Sequence, residues 1–361
     1  MTAMDRVTFI IHTYDRPHFL IRLVRYFDSV AAMRGAHVII ADGSSDADAA
    51  PFDQWLAAHP VGFDLTVRRH PGTTLMERLG LALETIDTPY VILGADDDLY
   101  FFDWIETAIA MMDAEADLGV VFGQFMTFRL EEFVPYGLDV TFDVPKLENP
   151  PIAWLEADSA EDRFTELSRH RLGLSSPGWY ALQRTPLLAS IVTYGRRFHL
   201  EAMMFEKFMV VAQAASGKTR MLDQLFIARQ TDPALNRSPF GHKENWGRVE
   251  ALVECSLAYL AEATGLPTER AKEIIDTVLG PEIALMQKAD RKRHLRAVAN
   301  RFPVLRRLWS GVQRMPAINM QRDRRLPATP DVATFAREQR IVKAALASQE
   351  VTLASAGRCS R

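Results

Sequence analysis

Tyr90-Val91-Ile92-Leu93-Gly94-Ala95-Asp96-Asp97-Asp98, followed by Tyr100-Phe101-Phe102, is an apolar run of strand length that ends in three consecutive carboxylates. A strand ending this way concentrates negative charge at one edge of a sheet, which is costly unless a cation or well-placed donors answer it. Carboxylates one residue apart can hold a hard divalent ion through oxygen, and magnesium or manganese leaves positions free for substrate phosphates. The alternative is a solvated acidic turn that caps the next helix.

The chain upstream builds the same plan repeatedly. Val7-Thr8-Phe9-Ile10-Ile11 reads as a strand, His12-Thr13-Tyr14-Asp15-Arg16-Pro17 as a loop, and Phe19, Leu20, Leu23, Val24 and Phe27 as one face of a helix. Val38-Ile39-Ile40-Ala41 then runs into Asp42-Gly43-Ser44-Ser45-Asp46, a turn dense in small and acidic residues. A third strand is expected at Phe63-Asp64-Leu65-Thr66-Val67, and a helix from Leu75 to Ile86 leads into the aspartate strand. Strands alternating with helices imply an α/β fold with a mostly parallel sheet, whose ligands gather beyond the carboxyl ends of the strands. All three polar turns fall on that edge. Together they describe a pocket suited to a nucleoside diphosphate with its metal.

The ordered set of turns resembles family 2 glycosyltransferases with the GT-A fold over roughly residues 7 to 230. Val7 to Leu20 is similar to that family's first strand and Thr-Tyr-Asn-Arg-Pro loop, with Asp15 where Asn is usual. Asp42-Gly43-Ser44-Ser45-Asp46 is similar to its Asp-Gly-Ser-x-Asp turn, and Asp96-Asp97-Asp98 to its Asp-x-Asp element. The resemblance implies a Rossmann-like GT-A domain over 1–245, with a nucleotide-sugar half to about 125 and an acceptor half beyond it. It implies that Thr13, Tyr14 and Arg16 line the nucleoside pocket and that Asp42 bonds the base or ribose. Asp96 and Asp98 would be the metal pair for Mn2+ or Mg2+, with Asp97 between them in the donor-binding turn. Arg16 could equally be a surface charge after the turn, and Arg78 could reach a phosphate or lie on a solvated helix face.

Beyond the aspartates, Phe102 to Met112 reads as a helix and Gly119-Val120-Val121-Phe122 as a strand. Residues 129–180 hold Pro135, Pro145, Pro150, Pro151 and Pro177 and suit a variable, acceptor-facing region, in which Trp179-Tyr180 could stack on a sugar or pack in the core. The stretch His199 to Val211 is apolar nearly all round a helix, so its carboxylates need a reason. Family 2 enzymes carry a general base here, usually within Glu-Asp. This chain lacks that pair. Glu206 aligns best by its distance to Ser216-Gly217-Lys218, Glu201 is the alternative, and the two lie about 140 degrees apart on a helix. A plain ion pair with Lys207, Arg196 or Arg197 is the rival account. Phe226-Ile227-Ala228-Arg229-Gln230 resembles a last strand delivering a polar pair, and His242 lies in a loop from which some GT-A enzymes complete a metal shell.

From Trp246 the pattern is helical, giving a C-terminal α-helical extension over 246–345 and a loose tail over 346–361. The net charge of −4 hides an asymmetry: between Lys288 and Arg325 there are twelve Lys or Arg against two Asp. With Leu295, Phe302, Leu305 and Trp309 interleaved, this stretch could lie on an anionic membrane surface, pack on the acidic catalytic part, or touch nucleic acid; Pro303 breaks it. The membrane surface is preferred and no nucleic acid is expected. Cys255 and Cys359 are too few and too far apart for a disulfide framework, and no apolar run of about 18 residues is present. The expected setting is cytoplasmic, with peripheral attachment to the inner face of the membrane. The expected activity is metal-dependent transfer of a sugar from a nucleotide-sugar to a hydroxyl of a glycan or lipid-linked acceptor, in surface polysaccharide or glycolipid synthesis. Inversion rests on the resemblance alone. A sugar nucleotidyltransferase is disfavoured, since Thr13 to Pro17 has no glycine, and a non-catalytic scaffold of an envelope-assembly complex is the remaining rival.

Overall fold

The sheet begins with four parallel strands, three of them continuous β-branched and apolar runs that are buried on both faces and the edge strand Asp64–Arg69 half-buried to exposed. They are β1 (Val7–Thr13), β2 (His37–Asp42), β3 (Asp64–Arg69) and β4 (Tyr90–Ala95), joined by helices α1 (Pro17–Ser29), α2 (Asp46–Ala58) and α3 (Leu75–Leu83). The structure is a computed structural model and describes residues 2–130, 132, 134–143, 155–169, 177–231, 246–281, 283–284 and 332–347. Each helix starts where the sequence supplies the chemistry. Pro17 opens α1, the Ser45 side chain caps α2, and Thr74 and Glu77 form a reciprocal capping box on α3.

The chain continues through β5 (Leu99–Tyr100), α4 (Ile105–Ala114), β6 (Leu118–Arg129), β7 (Thr141–Asp143), α5 (Ala160–Arg169), β8 (Leu182–Arg184), α6 (Thr185–Arg197), α7 (Ala202–Ser216) and β9 (Lys218–Gln230). The sheet order is β3-β2-β1-β4-β8-β6-β9-β5, with β7 on β6. Short β8 runs antiparallel between β4 and β6, and β9 is parallel to β6. The helix expected from Phe102 begins only at Ile105, because Leu99 and Tyr100 pair with Ala228 and Ile227 and the Trp104 indole donates to the Phe101 carbonyl. The helix expected from His199 begins at Ala202, after a turn in which His199 has a φ of 51°.

One core underlies all of this. Phe9, Phe27, Tyr100 and Phe102 meet edge to face beneath the aspartate turn, with Phe9–Phe27 centroids 5.9 Å apart. α8 (Trp246–Thr264) extends that core by packing Tyr259 on Phe208 of α7 and bonding its hydroxyl to Ser216 at 2.8 Å. α9 (268–281) reaches α5 through Arg270 and Glu161, and α10 (Val332–Ala347) pairs Arg337 with Asp103. The basic stretch 288–325 lies outside the described residues. Among the described residues no helix is long and apolar enough to cross a membrane.

Gly94 is where the core and the turn approach most closely. A Cβ there would stand 2.4 Å from Ile11 Cδ1 and 2.5 Å from the Tyr100 hydroxyl, which accepts from the Ala95 N–H at 2.8 Å. Gly94→Ala should therefore cost about 1–3 kcal/mol in denaturant unfolding, as overpacked cores do. An unchanged midpoint would show that the close approach is not needed.

Candidate functional site

Register places the first functional side chains. Thr13 pairs with Asp42 across β1 and β2, and His12 with Ala95 across β1 and β4, so Asp42, Thr13 and Asp96 fall in line at the carboxyl edge. The Thr13 hydroxyl donates to Asp96 Oδ2 at 2.5 Å, which turns it inward. Asp42 Oδ1 accepts the Ser44 N–H at 2.8 Å, and its other oxygen is 3.3 Å from Arg69 Nε. Asp15 sits at a φ of 54° with its N–H on the Ser44 hydroxyl. Asn and Asp tolerate that left-handed backbone better than other residues, which is why Asp can stand where Asn is usual.

Tyr14 is 57% exposed, and its ring covers the Arg78 guanidinium at 6.0 Å. Arg78 is buried rather than on a solvated helix face: it donates to the Thr73 carbonyl at 2.5 Å, and its Nε has no partner among the described residues. Gly43 makes room for it, since a Cβ there would lie 2.3 Å from Arg78 Nη1. Burial lowers the Arg78 pKa, and Asp42 opposes the shift.

Asp96 and Asp98 are both buried, while Asp97 keeps a partly exposed side chain. Arg16 bridges the turn, with Nη2 at 2.6 Å from Asp96 Oδ1 and Nη1 donating to Asp97 Oδ2 at 2.9 Å, so it is a partner of the carboxylates rather than a surface charge. Asp98 Oδ1 accepts the Gln230 N–H at 2.9 Å, the Tyr180 hydroxyl also bonds its carboxylate, and Arg229 Nε is 3.9 Å from Oδ2. Burial pushes both carboxyls above the usual range; Arg16 opposes this at Asp96, and at Asp98 the Asp97 charge adds to it while Arg229 opposes it. Among the described residues no group of three His, Cys, Asp or Glu converges on one point. Two desolvated carboxylates one residue apart nevertheless fit magnesium or manganese, which complete their shells with phosphate oxygens and water.

The two glutamates part company. Glu201 is the residue that precedes α7, is about half exposed and pairs with Arg248 at 2.5 Å. Glu206 lies one turn into α7, where burial raises its pKa and Arg229 and Lys207 oppose the rise. Arg229 lies 4.9 Å over the Tyr180 ring and acts electrostatically on both Asp98 and Glu206, which links the aspartate turn to that glutamate. Trp179 and Tyr180 are both buried; Trp179 packs on His12 and Phe205, so the pair is not an exposed platform for a sugar. His242 lies outside the described residues.

Sequence reading passed over Arg22 as a site residue, offered Tyr180 only as a sugar-stacking or core ring, and gave Gln230 only as half of a polar pair on a last strand. Arg22 is 1% exposed and donates to the carbonyls of Asp97 and Pro135 and to Gln230 Oε1. Its signal was a charge inside a helix that buries Phe19, Leu20, Ile21, Leu23, Val24, Tyr26 and Phe27. That Tyr180 and Gln230 both meet Asp98 followed only from the strand pairing.

Comparison with solved structures recovers this fold. S. aureus TarS 1-349 superposes with a TM-score of 0.52 and 12% identity, covering 77% of this chain and 72% of that chain. Its complex with UDP-GlcNAc gives 0.54 and 12% over 77% and 73%, and its complex with UDP gives 0.50 and 13% over 76% and 70%. The likeness shows the fold: an α/β GT-A arrangement, mostly parallel sheet flanked by helices. No family model matches the chain, and no curated protein matches it in sequence.

The hydroxyl of Thr13 can be tested alone. Thr13→Val keeps its shape but leaves Asp96 Oδ2 without that donor, so urea unfolding should show a loss of about 1–3 kcal/mol. Thr13→Ser keeps the donor and should stay within about 1 kcal/mol of wild type. Equal losses in the two variants would mean that packing, not the hydrogen bond, sets the effect.

Proposed function

We propose that this chain is a glycosyltransferase that moves a sugar from a nucleoside-diphosphate donor to a hydroxyl acceptor. The observation that carries the reading is the buried aspartate turn at the carboxyl edge of a GT-A sheet, with Arg229 3.9 Å from Asp98 and acting also on the Glu206 carboxyl. A leaving-group site and a base site then adjoin, as one displacement requires.

In this reading the exposed Tyr14 face packs on the base, Asp42 accepts from base or ribose, and Arg78 lies beneath them. Thr13 and Arg16 hold Asp96 and Asp97 in place. A divalent magnesium or manganese ion held by Asp96 and Asp98 would neutralise charge on the diphosphate. The acceptor oxygen attacks the anomeric carbon, the bond to the β-phosphate oxygen breaks, and the electron pair leaves on the diphosphate. The acceptor proton passes to Glu206, and the single displacement inverts the anomeric centre. Arg229 faces both charges, favouring ionised Glu206 and countering the leaving group. The basic, aromatic-bearing stretch from Lys288 to Arg325 supports an acceptor met at an anionic membrane surface, such as a lipid-linked or growing surface glycan.

Calorimetric titration with a panel of nucleoside diphosphates, with and without Mn2+, tests the donor site. One nucleotide should bind in a metal-dependent way, and Asp98→Ala should abolish the metal-dependent part. Failure of every nucleotide to bind the folded protein would remove the reading.

Glu206 and Glu201 are separated by kinetics. Glu206→Gln should lower kcat about 10²–10⁴-fold, whereas Glu201→Gln should change it little. Because burial raises the Glu206 pKa and only the ionised form accepts a proton, wild-type kcat should fall on the acid side from a pH above the ordinary glutamate range. The opposite ranking of the two variants would transfer the base to Glu201.

A further inference from the structure

Arg22 is a buried guanidinium whose three hydrogen-bond acceptors among the described residues are neutral oxygens. Nη2 donates to the Asp97 carbonyl at 2.5 Å, and Nη1 donates to Gln230 Oε1 at 2.6 Å and to the Pro135 carbonyl at 3.0 Å. Gln230 makes the complementary set: its backbone N–H donates to Asp98 Oδ1 at 2.9 Å and its side-chain amide to the Val134 carbonyl at 2.8 Å. Gln230 is itself 8% exposed. The two side chains therefore grip two separate backbone segments, the aspartate turn and residues 134–135, and bond to each other between them.

This arrangement differs from an ordinary ion pair. A buried Arg that only needed neutralising would sit on a carboxylate, and three are within a few residues. Arg22 instead uses its fork to hold carbonyls, while the aspartate charges act on it from further away. A fixed fork that holds two backbone segments sets their separation, and Gln230, with its side-chain amide on Val134 and its backbone N–H on Asp98, sets it again.

We propose that Arg22 and Gln230 form a positioning clamp, which fixes the aspartate turn and couples it to segment 134–136 on the acceptor half. The clamp itself is a statement about two segments of this chain; only its kinetic consequence rests on the glycosyltransferase reading. The turn would then keep Asp98 aimed at the donor, and a change in segment 134–136 would be felt at the aspartates.

Amide hydrogen exchange read by mass spectrometry on wild type, Arg22→Met and Gln230→Leu tests the coupling without any ligand. Exchange in peptides spanning 96–100 and 134–140 should rise about tenfold or more in each variant, with β1 to β3 unchanged, and Arg22→Lys should recover part of the protection. Acceleration in only one segment, or in neither, overturns the clamp. If Arg22→Met does not fold, Gln230→Leu decides, because it keeps the backbone N–H on Asp98. Binding supplies the second readout: the gain in nucleoside diphosphate affinity on adding Mn2+ should shrink about 10–100-fold in Arg22→Met, as when outer-shell partners of a metal site are lost. A merely destabilised protein would keep that gain unchanged, because a smaller folded fraction lowers the affinities with and without metal alike. Wild type that binds no nucleotide would refute the donor reading alone, and the exchange result would still decide the clamp.

Discussion

Three consecutive carboxylates at a sheet edge, two of them removed from water, are the constraint to which the surrounding structure answers. An unpaired buried carboxylate costs several kcal/mol even after relaxation. Here each is met by partners from distant parts of the chain: Thr13 and Arg16 from the first loop, Tyr180 from beside β8, and Gln230 and Arg229 from the end of β9. The aspartate turn therefore cannot form by itself. It acquires its shape only when both halves of the sheet are assembled, which ties the chemistry of the edge to the folding of the whole domain.

The two-residue strand β5 is the means of that assembly. Pairing Leu99 with Ala228 and Tyr100 with Ile227 brings the last strand antiparallel beside the turn, so Arg229 and Gln230 run past Asp98 and Asp97. The aromatic floor of Phe9, Phe27, Tyr100 and Phe102 holds β5 against β1 and α1. Gly94 then lets the Tyr100 hydroxyl reach the backbone just before the aspartates. Core packing and polar positioning are served by one ring.

How legible this was in the sequence depended on the range of the interactions. β1, β2 and β4 are fully buried parallel strands, so their apolar runs stood out, and the loops after them were marked by turn residues next to carboxylates. α1 showed in the apolar face of Phe19, Leu20, Leu23, Val24 and Phe27, and α3 in the helical stretch that begins at Leu75. β6 and β9 are longer than their apolar centres suggested because they pair with each other through register shifts, which break the pattern. The inward turn of Thr13, the burial of Arg78 beneath Tyr14 and the burial of Trp179 and Tyr180 depend on contacts between segments tens to hundreds of residues apart. Periodicity carries no record of such contacts, and a polar or aromatic residue reads alike whether it faces a ligand or a core.

The charges of the edge also constrain how a donor would arrive. Arg16, Arg22, Arg69, Arg78 and Arg229 stand against Asp42, Asp96, Asp97, Asp98 and Glu206, so cations and anions are matched in number before anything binds. A sugar diphosphate diester carries about two negative charges, and a divalent ion carries the opposite amount. Either one alone upsets the balance of a desolvated site, the donor by crowding the aspartates and the ion by crowding the guanidiniums. Together they leave it unchanged. In the proposed function, metal and donor thus favour each other's binding through the field of the site, beyond the bonds between them. The fixed, buried guanidinium of Arg22 sets that balance, because no solvent can relax around it when the ligands come and go.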